Sequence, residues 1–175
     1  MITLQTAQAL LRPFTLNDAP DLLRITNQPG IMQYFPNPTP PTPERIDRMI
    51  NNQIEHWTRH GYGWWALVFR DSNQLLGWCG LQYLPDTDEI EVGYLIDQRF
   101  QKLGITTEAA TASLMYGFLD LEITTIIGIT HPDNTASQRV LLKSGLTLTG
   151  PAHYFGMDCL RFAAHCESWS DQFAC

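Results

Sequence analysis

No apolar run in this chain approaches the roughly 18 residues that a membrane-spanning helix requires, so a membrane partner is not expected. Charge is also scarce, at 17% of 175 residues, and acids outnumber bases 18 to 11 for a net charge of −7. A general nucleic-acid binder needs a basic face, so that class is excluded. The negative balance is compatible with a cationic or amine-bearing substrate, and equally with solubility alone. There are only four cysteines, Cys79, Cys159, Cys166 and Cys175. None forms a C-x-x-C pair or a ligand-like spacing with the five histidines, so neither a metal site nor a disulfide scaffold is expected, and a reducing cytoplasm is the natural home. The opening Met1-Ile-Thr-Leu-Gln-Thr has no basic or long apolar segment, so no signal peptide is expected.

What is present is a hydrophobic content of 44%, enough to build a core in one domain over residues 1–175. Residues 10–14 read as a first strand, and Thr15 to Asp18 supply cap chemistry for a helix carrying Leu22, Leu23 and Ile25. The proline-rich stretch 36–43 is neither helix nor central strand, and serves as a spacer or as one wall of a cleft. Thr42 and Pro43 then open an amphipathic helix with Ile46, Met49, Ile50, Ile54 and Trp57 at helical spacing. Residues 64–69, 75–83 and 90–96 read as an antiparallel meander. A helix over 107–119, a strand over 124–130, a short helix ending at Gly145, and closing strands at 146–149 and 158–164 complete the chain. The order implies a mixed α/β (α+β) domain around one sheet.

Between the third meander strand and the following helix lies Gln101-Lys-Leu-Gly104-Ile-Thr-Thr-Glu108-Ala109. A loop in that place offers free backbone N–H groups and the positive end of a helix dipole, which suit a pyrophosphate. Gly104 lets backbone approach a phosphate, and Thr106 or Thr107 can cap the helix. Taken with Glu91-Val-Gly93-Tyr94-Leu-Ile-Asp97 before it, and His131-Pro-Asp-Asn134-x-x-Ser137 and Lys143-x-Gly145 after it, this loop resembles the GNAT superfamily of acyl-CoA-dependent N-acetyltransferases. Leu11-Arg12-Pro13 with Asp18, Gly61-x-Gly63-x-Trp65-Ala66 and Thr107-Glu108-Ala109 resemble the RimJ/RimL-like ribosomal-protein subgroup. Matched segments run from about residue 10 to residue 164 in one order.

The resemblance implies a mostly antiparallel central sheet flanked by helices, acetyl-CoA as acyl donor, and a primary amine as acceptor, either a protein N-terminus or a small molecule. Leu95, Ile96, Gln101, Lys102, Leu103, Gly104, Ile105, Thr106 and Asn134 would then bind the cofactor, Leu95 and Ile96 through backbone groups that pair with it like an added strand. Glu91 is the candidate base, or else a strand glutamate facing solvent; Glu89, at the strand entrance, reads as exposed. Ser137 is the candidate acid for the leaving thiolate, or a capping hydroxyl, and Asn134 binds the pantetheine arm or caps the helix. Tyr83, Tyr94 and Tyr154 are either cleft or core aromatics, and His131 and His153 read as turn or surface residues. Two departures stand out. Relatives usually carry glycine at the place of Lys102 and glycine or alanine at Thr106, and many carry an acid tyrosine where this chain has Leu141. They keep open a non-catalytic module that binds CoA as a sensor. A homodimer is compatible with base rates.

Overall fold

The first strands follow an alternating burial pattern. In the computed structural model, which describes residues 2–173, β1 (Leu4–Gln5) pairs antiparallel with β2 (Ala9–Arg12), and β2 buries Ala9 and Leu11. The strand expected over residues 10–14 thus begins one residue earlier and stops at Pro13, which has no N–H to continue a ladder. Arg12 and the buried Asp18 form an ion pair at 2.6 Å, and the Thr15 N–H donates to the same carboxylate at 2.8 Å. That knot launches α1 (Ala19–Thr26). The proline-rich connection leads to α2 (Pro43–His60), where Thr42 Oγ1 accepts the Arg45 N–H at the start and Gly61, at φ 77°, ends the helix. Gln53 and Trp57, on its buried side, reach β3 (Trp64–Phe69): the Trp64 N–H donates to Gln53 Oε1 at 2.9 Å and Trp57 Nε1 donates to the Trp64 carbonyl at 3.1 Å.

β3, β4 (Leu75–Leu84) and β5 (Glu89–Ile96) form the expected meander, with Asn73 and Asp88 taking positive φ in its turns. α3 (Ile105–Met115) begins two residues before the expected helix and gives way to a wider π turn, Tyr116–Asp120. β6 (Thr125–Thr130), α4 (Thr135–Lys143), β7 (Thr147–Tyr154) and β8 (Met157–His165) follow. β7 runs well past the expected end at residue 149, through Pro151; a proline fits because β7 is the edge strand of the sheet. β1 and the closing helix α5 (Cys166–Phe173) were not anticipated from sequence. The described cysteines Cys79, Cys159 and Cys166 are free thiols, while Cys175 lies outside the described residues.

The eight strands form one mostly antiparallel sheet in the order β1-β2-β3-β4-β5-β6-β8-β7. β3 is buried on both faces, which explains its unbroken apolar run. Ala66 and Val68 face Leu22, Ile25, Ile46 and Ile50 of α1 and α2, while Trp65 and Leu67 belong to the core shared with α3 and α5. No helix among the described residues is long and apolar enough to cross a membrane.

One buried charge ties the helical hairpin to the loop after β5. Asp97, fully buried, accepts from Arg24 at 2.9 Å, Gln28 at 2.9 Å and Arg99 at 2.7 Å. Burial alone would raise this carboxyl, but the donors outweigh it and hold it far below the usual carboxylate range. Removing one partner of such a group leaves buried charge or donors unmatched. Asp97→Ala should therefore lower the unfolding free energy by about 3 kcal/mol, measured by urea titration. Because the folded pKa is depressed, the contribution of Asp97 is complete above about pH 4 and should fade as pH falls below that value.

Candidate active site

β5 and β6 run parallel and pair at a single register position, Glu91 with Ile127. Beyond that rung the strands part, leaving the far edge of β5 without a neighbour and opening a cavity of about 650 Å³. Its floor depends on Gly93: a Cβ there would lie 3.3 Å from Trp78, which stacks on Trp64 with ring centroids 3.8 Å apart. On the other strand Leu141 fills the space beside Gly128, where a Cβ would come within 2.4 Å of it. Of the proline-rich stretch 36–43 only Pro36 reaches the cavity, so most of that stretch is a spacer and the wall is built by the residues just before it. Ile31, Tyr34, Phe35 and Pro36 line the cavity, and Tyr34 stacks on His131 at 5.3 Å.

At one end of this cavity α3 begins. Its first-turn N–H groups lack intrahelical acceptors, and Gln101, Lys102, Gly104, Thr106 and Thr107 border the opening. Gly104 caps the helix in the left-handed region at φ 85°, and Lys102 occupies the same region at φ 66°. That conformation gives a physical reason for glycine at the place of Lys102 in relatives. The loop is held from behind, since Gln8 Nε2 donates to the Leu103 carbonyl at 3.2 Å and to Glu108 at 2.7 Å. Of the residues expected to hold a cofactor, Leu95, Ile96, Gln101, Lys102, Gly104, Thr106 and Asn134 line the cavity. Leu103 and Ile105 do not: Leu103 points into solvent and Ile105 is fully buried in the core.

Glu91, half-buried, lies at the divergence point. Burial pushes its carboxyl up to about 8, against the opposing effect of the Ile129 N–H that donates to it. It faces a second cavity as well, of about 740 Å³, between α2 and the β4–β5 hairpin. Trp64 and Phe155 also border both cavities, Phe155 from the tip of the β7–β8 hairpin. Ser137 stands on the first turn of α4, and Asn134 Oδ1 caps that helix by accepting the Ser137 N–H at 3.1 Å. Tyr94 reaches across from β5, its hydroxyl 3.0 Å from Ser137 Oγ and 2.9 Å from the Ser137 carbonyl, and burial keeps the phenol neutral. This pairing was not foreseen; Tyr94 read only as one of three ambiguous aromatics. Two side chains change role. Glu89, expected to be exposed, accepts from Tyr154 at 2.6 Å and Arg161 at 2.7 Å, binding β5 to the last hairpin, and Tyr154 is thereby kept from the cleft. His153 is a surface residue, as expected, beside Asp158.

The first cavity offers what an extended phosphorylated ligand would need: helix N–H groups at one end, an unpaired strand edge along its length, and the buried Thr130 hydroxyl, which has no partner among the described residues. Fold and site thus define a domain whose split sheet has room for a long ligand. The family model for the acetyltransferase (GNAT) domain matches residues 8–147, and the chain belongs to this family of acyltransferases. The uncharacterized N-acetyltransferase YnaD of Bacillus subtilis (strain 168) is 27% identical over 146 residues, 83% of this chain and 82% of that one. A GNAT-family acetyltransferase from Bacillus anthracis superposes with a TM-score of 0.83 at 23% identity, covering 95% and 99% of the two chains. RimL, a ribosomal L7/L12 alpha-N-protein acetyltransferase solved with coenzyme A, gives 0.81 at 21% identity and the same coverage.

The cap is directly testable. Asn134→Ala should cost about 1 kcal/mol of stability and Asn134→Asp should recover most of it, read from thermal unfolding. An alanine variant as stable as the parent would remove the capping role.

Proposed function

We propose that this chain transfers an acetyl group from acetyl-CoA to a primary amine, by direct attack in a ternary complex, and that the amine is a protein N-terminus. The observation that carries the reading is the meeting of two cavities at Glu91. One has the helix terminus and strand edge suited to the donor; the other is open to an acceptor, and a carboxyl stands between them. Acetyl-CoA supplies the thioester whose C–S bond breaks as the N–C bond forms. The free edge of β5 and the α3 N-terminus orient it, with the residues from Leu95 to Thr106 that line the cavity. Glu91 removes the proton from the amine, directly or through one water. At rest the Tyr94 O–H donates to the Ser137 carbonyl and its oxygen accepts from Ser137 Oγ–H, which holds that hydroxyl at the cavity. Ser137 Oγ–H then turns to give its proton to the sulfur, and solvent restores it. The hydroxyl pair fills the role that Leu141, buried in the core, leaves vacant. The likeness of the fold to RimL supports the protein N-terminus over a small-molecule amine.

The decisive assay is thiol release from acetyl-CoA with peptides and small amines. CoA binding without release for any acceptor would favour a sensor module instead. A base must be unprotonated to act, so kcat/KM should climb with pH and level off above about 8. Glu91→Gln should flatten that limb and lower the rate by about 100-fold; a profile of unchanged height and shape would take Glu91 out of the reaction. Ser137→Ala and Tyr94→Phe should each reduce kcat with KM for acetyl-CoA nearly constant. The double variant should be little worse than either single, because the two hydroxyls act as a unit.

A further inference from the structure

The second cavity carries the opposite charge to the chain as a whole. Net charge is −7, yet three of its 11 basic residues, Arg45, Arg48 and Arg59, line this one space from α2. Their spacing of three and eleven residues puts them on one helical face. All three are exposed, and among the described residues none forms a salt bridge. Glu44, one turn before Arg48, feels its charge but does not line the cavity. The carboxyls that do are Glu55 and Glu91. His56 adds no charge: its Nε2 accepts the Tyr83 N–H at 3.2 Å, so Nδ1 must carry the proton donated to the Tyr62 carbonyl at 2.8 Å, and the ring is neutral.

Distance selects the chemistry further. Gln53 Nε2 donates to Gln82 at 2.9 Å, and Gln82 is the cross-strand partner of Glu91, so Gln53 marks the level of Glu91 on α2. At the helical rise, Arg48 and Arg45 then lie about 8 and about 12 Å further along. The carboxylate of a free amino acid, beside its own amine, falls short of either. An acidic side chain two or three residues into an extended peptide, at about 3.4 Å per residue, reaches them. Screening within about 8 Å at physiological salt lets this local charge override the distant net negative charge.

We propose that the acceptor is a peptide N-terminus with an acidic residue at its third or fourth position, read by Arg48 and Arg45, with Arg59, on the other side of Gln53, adding to the positive field of the cavity, while polyamines and other polycations are rejected. The inference rests on the acceptor cavity assigned under the proposed function. Each exposed pairing is worth about two- to fivefold, so the two arginines in reach should favour an acidic over a neutral side chain by about fourfold or more, and over a lysine, which they repel, by about tenfold or more.

The test compares hexapeptides alike except for glutamate, glutamine or lysine at the third and fourth positions, with free glutamate and spermine alongside. Thiol release gives kcat/KM, and titration of tryptophan fluorescence in the presence of CoA gives binding without turnover. The expected ratio of acidic to basic peptide is at least about tenfold, shrinking as salt rises. It should fall toward one in Arg45→Ala/Arg48→Ala and invert in Arg48→Glu, a gain for the lysine peptide that misfolding cannot produce. Acidic peptides that bind with this arginine dependence but never release thiol would uphold the proposal and overturn the catalytic reading instead. Equal rates and affinities for all three peptides, a preference for lysine or spermine, free glutamate as the best acceptor, or no binding by any peptide would each overturn it.

Discussion

Among the described residues the rung between Glu91 and Ile127 is the only register pair joining the two halves of the sheet, and the geometry of the site follows from where that pairing stops. Had the ladder continued, β5 and β6 would have satisfied each other's backbone and closed the cavity. Instead the edge from Val92 to Ile96 keeps its hydrogen-bonding capacity, and the buried Thr130 hydroxyl has no partner among the described residues. Unmet polar groups of this kind are costly in a folded chain unless something visits them. The rest of the molecule is arranged to tolerate the opening. Glycines at 93 and 128 let Trp78 and Leu141 pack close to the diverging strands, and Glu89 clamps β5 to β8 near the point of departure.

The same geometry accounts for the unusual state of Glu91. A carboxyl on the last paired rung has strand on both sides and little water, so its ionised form is disfavoured. It is nevertheless open to two cavities at once. A group at a strand end in solvent would be too weak a base, and one deeper in the ladder would be unreachable. Electrostatics is divided in a comparable way. The first cavity combines a helix terminus with Lys102, Arg139 and Lys143, whereas the second draws its positive charge from guanidinium groups of α2 alone.

Much of this was legible in the residue order. Hydrophobic periodicity located α2, the meander and β6, because each has a pattern of its own and strong turn or cap residues at its ends. The phosphate-type loop could be read because a glycine in a strand-to-helix turn has a local physical meaning. What escaped depends on tertiary proximity. Nothing in the chain near Tyr94 says that its hydroxyl meets Ser137, 43 residues on. Nothing in the sequence of α2 says that its arginines line a cavity; that follows only from its place over β4 and β5. Overall net charge is compatible with a cationic substrate or with solubility alone, whereas the arginines lining the second cavity give it the other sign. α5 and the end of β7 were missed for a simpler reason: α5 is a single short element with weak periodicity, and Pro151 reads as a break unless the strand is known to be an edge.

The buried Asp97 also sets a rule for how such an enzyme could be rebuilt. Its carboxylate is shared by Arg24 and Gln28 from the end of α1 and by Arg99 at the entrance to the cofactor-side loop. The helical hairpin, whose second helix lines the second cavity, is therefore not an independent module. A chimera that exchanged α1 and α2 for those of a relative would have to bring a matching donor pair for Asp97, or lose the anchor of a loop it never intended to alter. Diversification of acceptors in this architecture should consequently run through substitutions on the outer face of α2, with its inner attachments inherited intact.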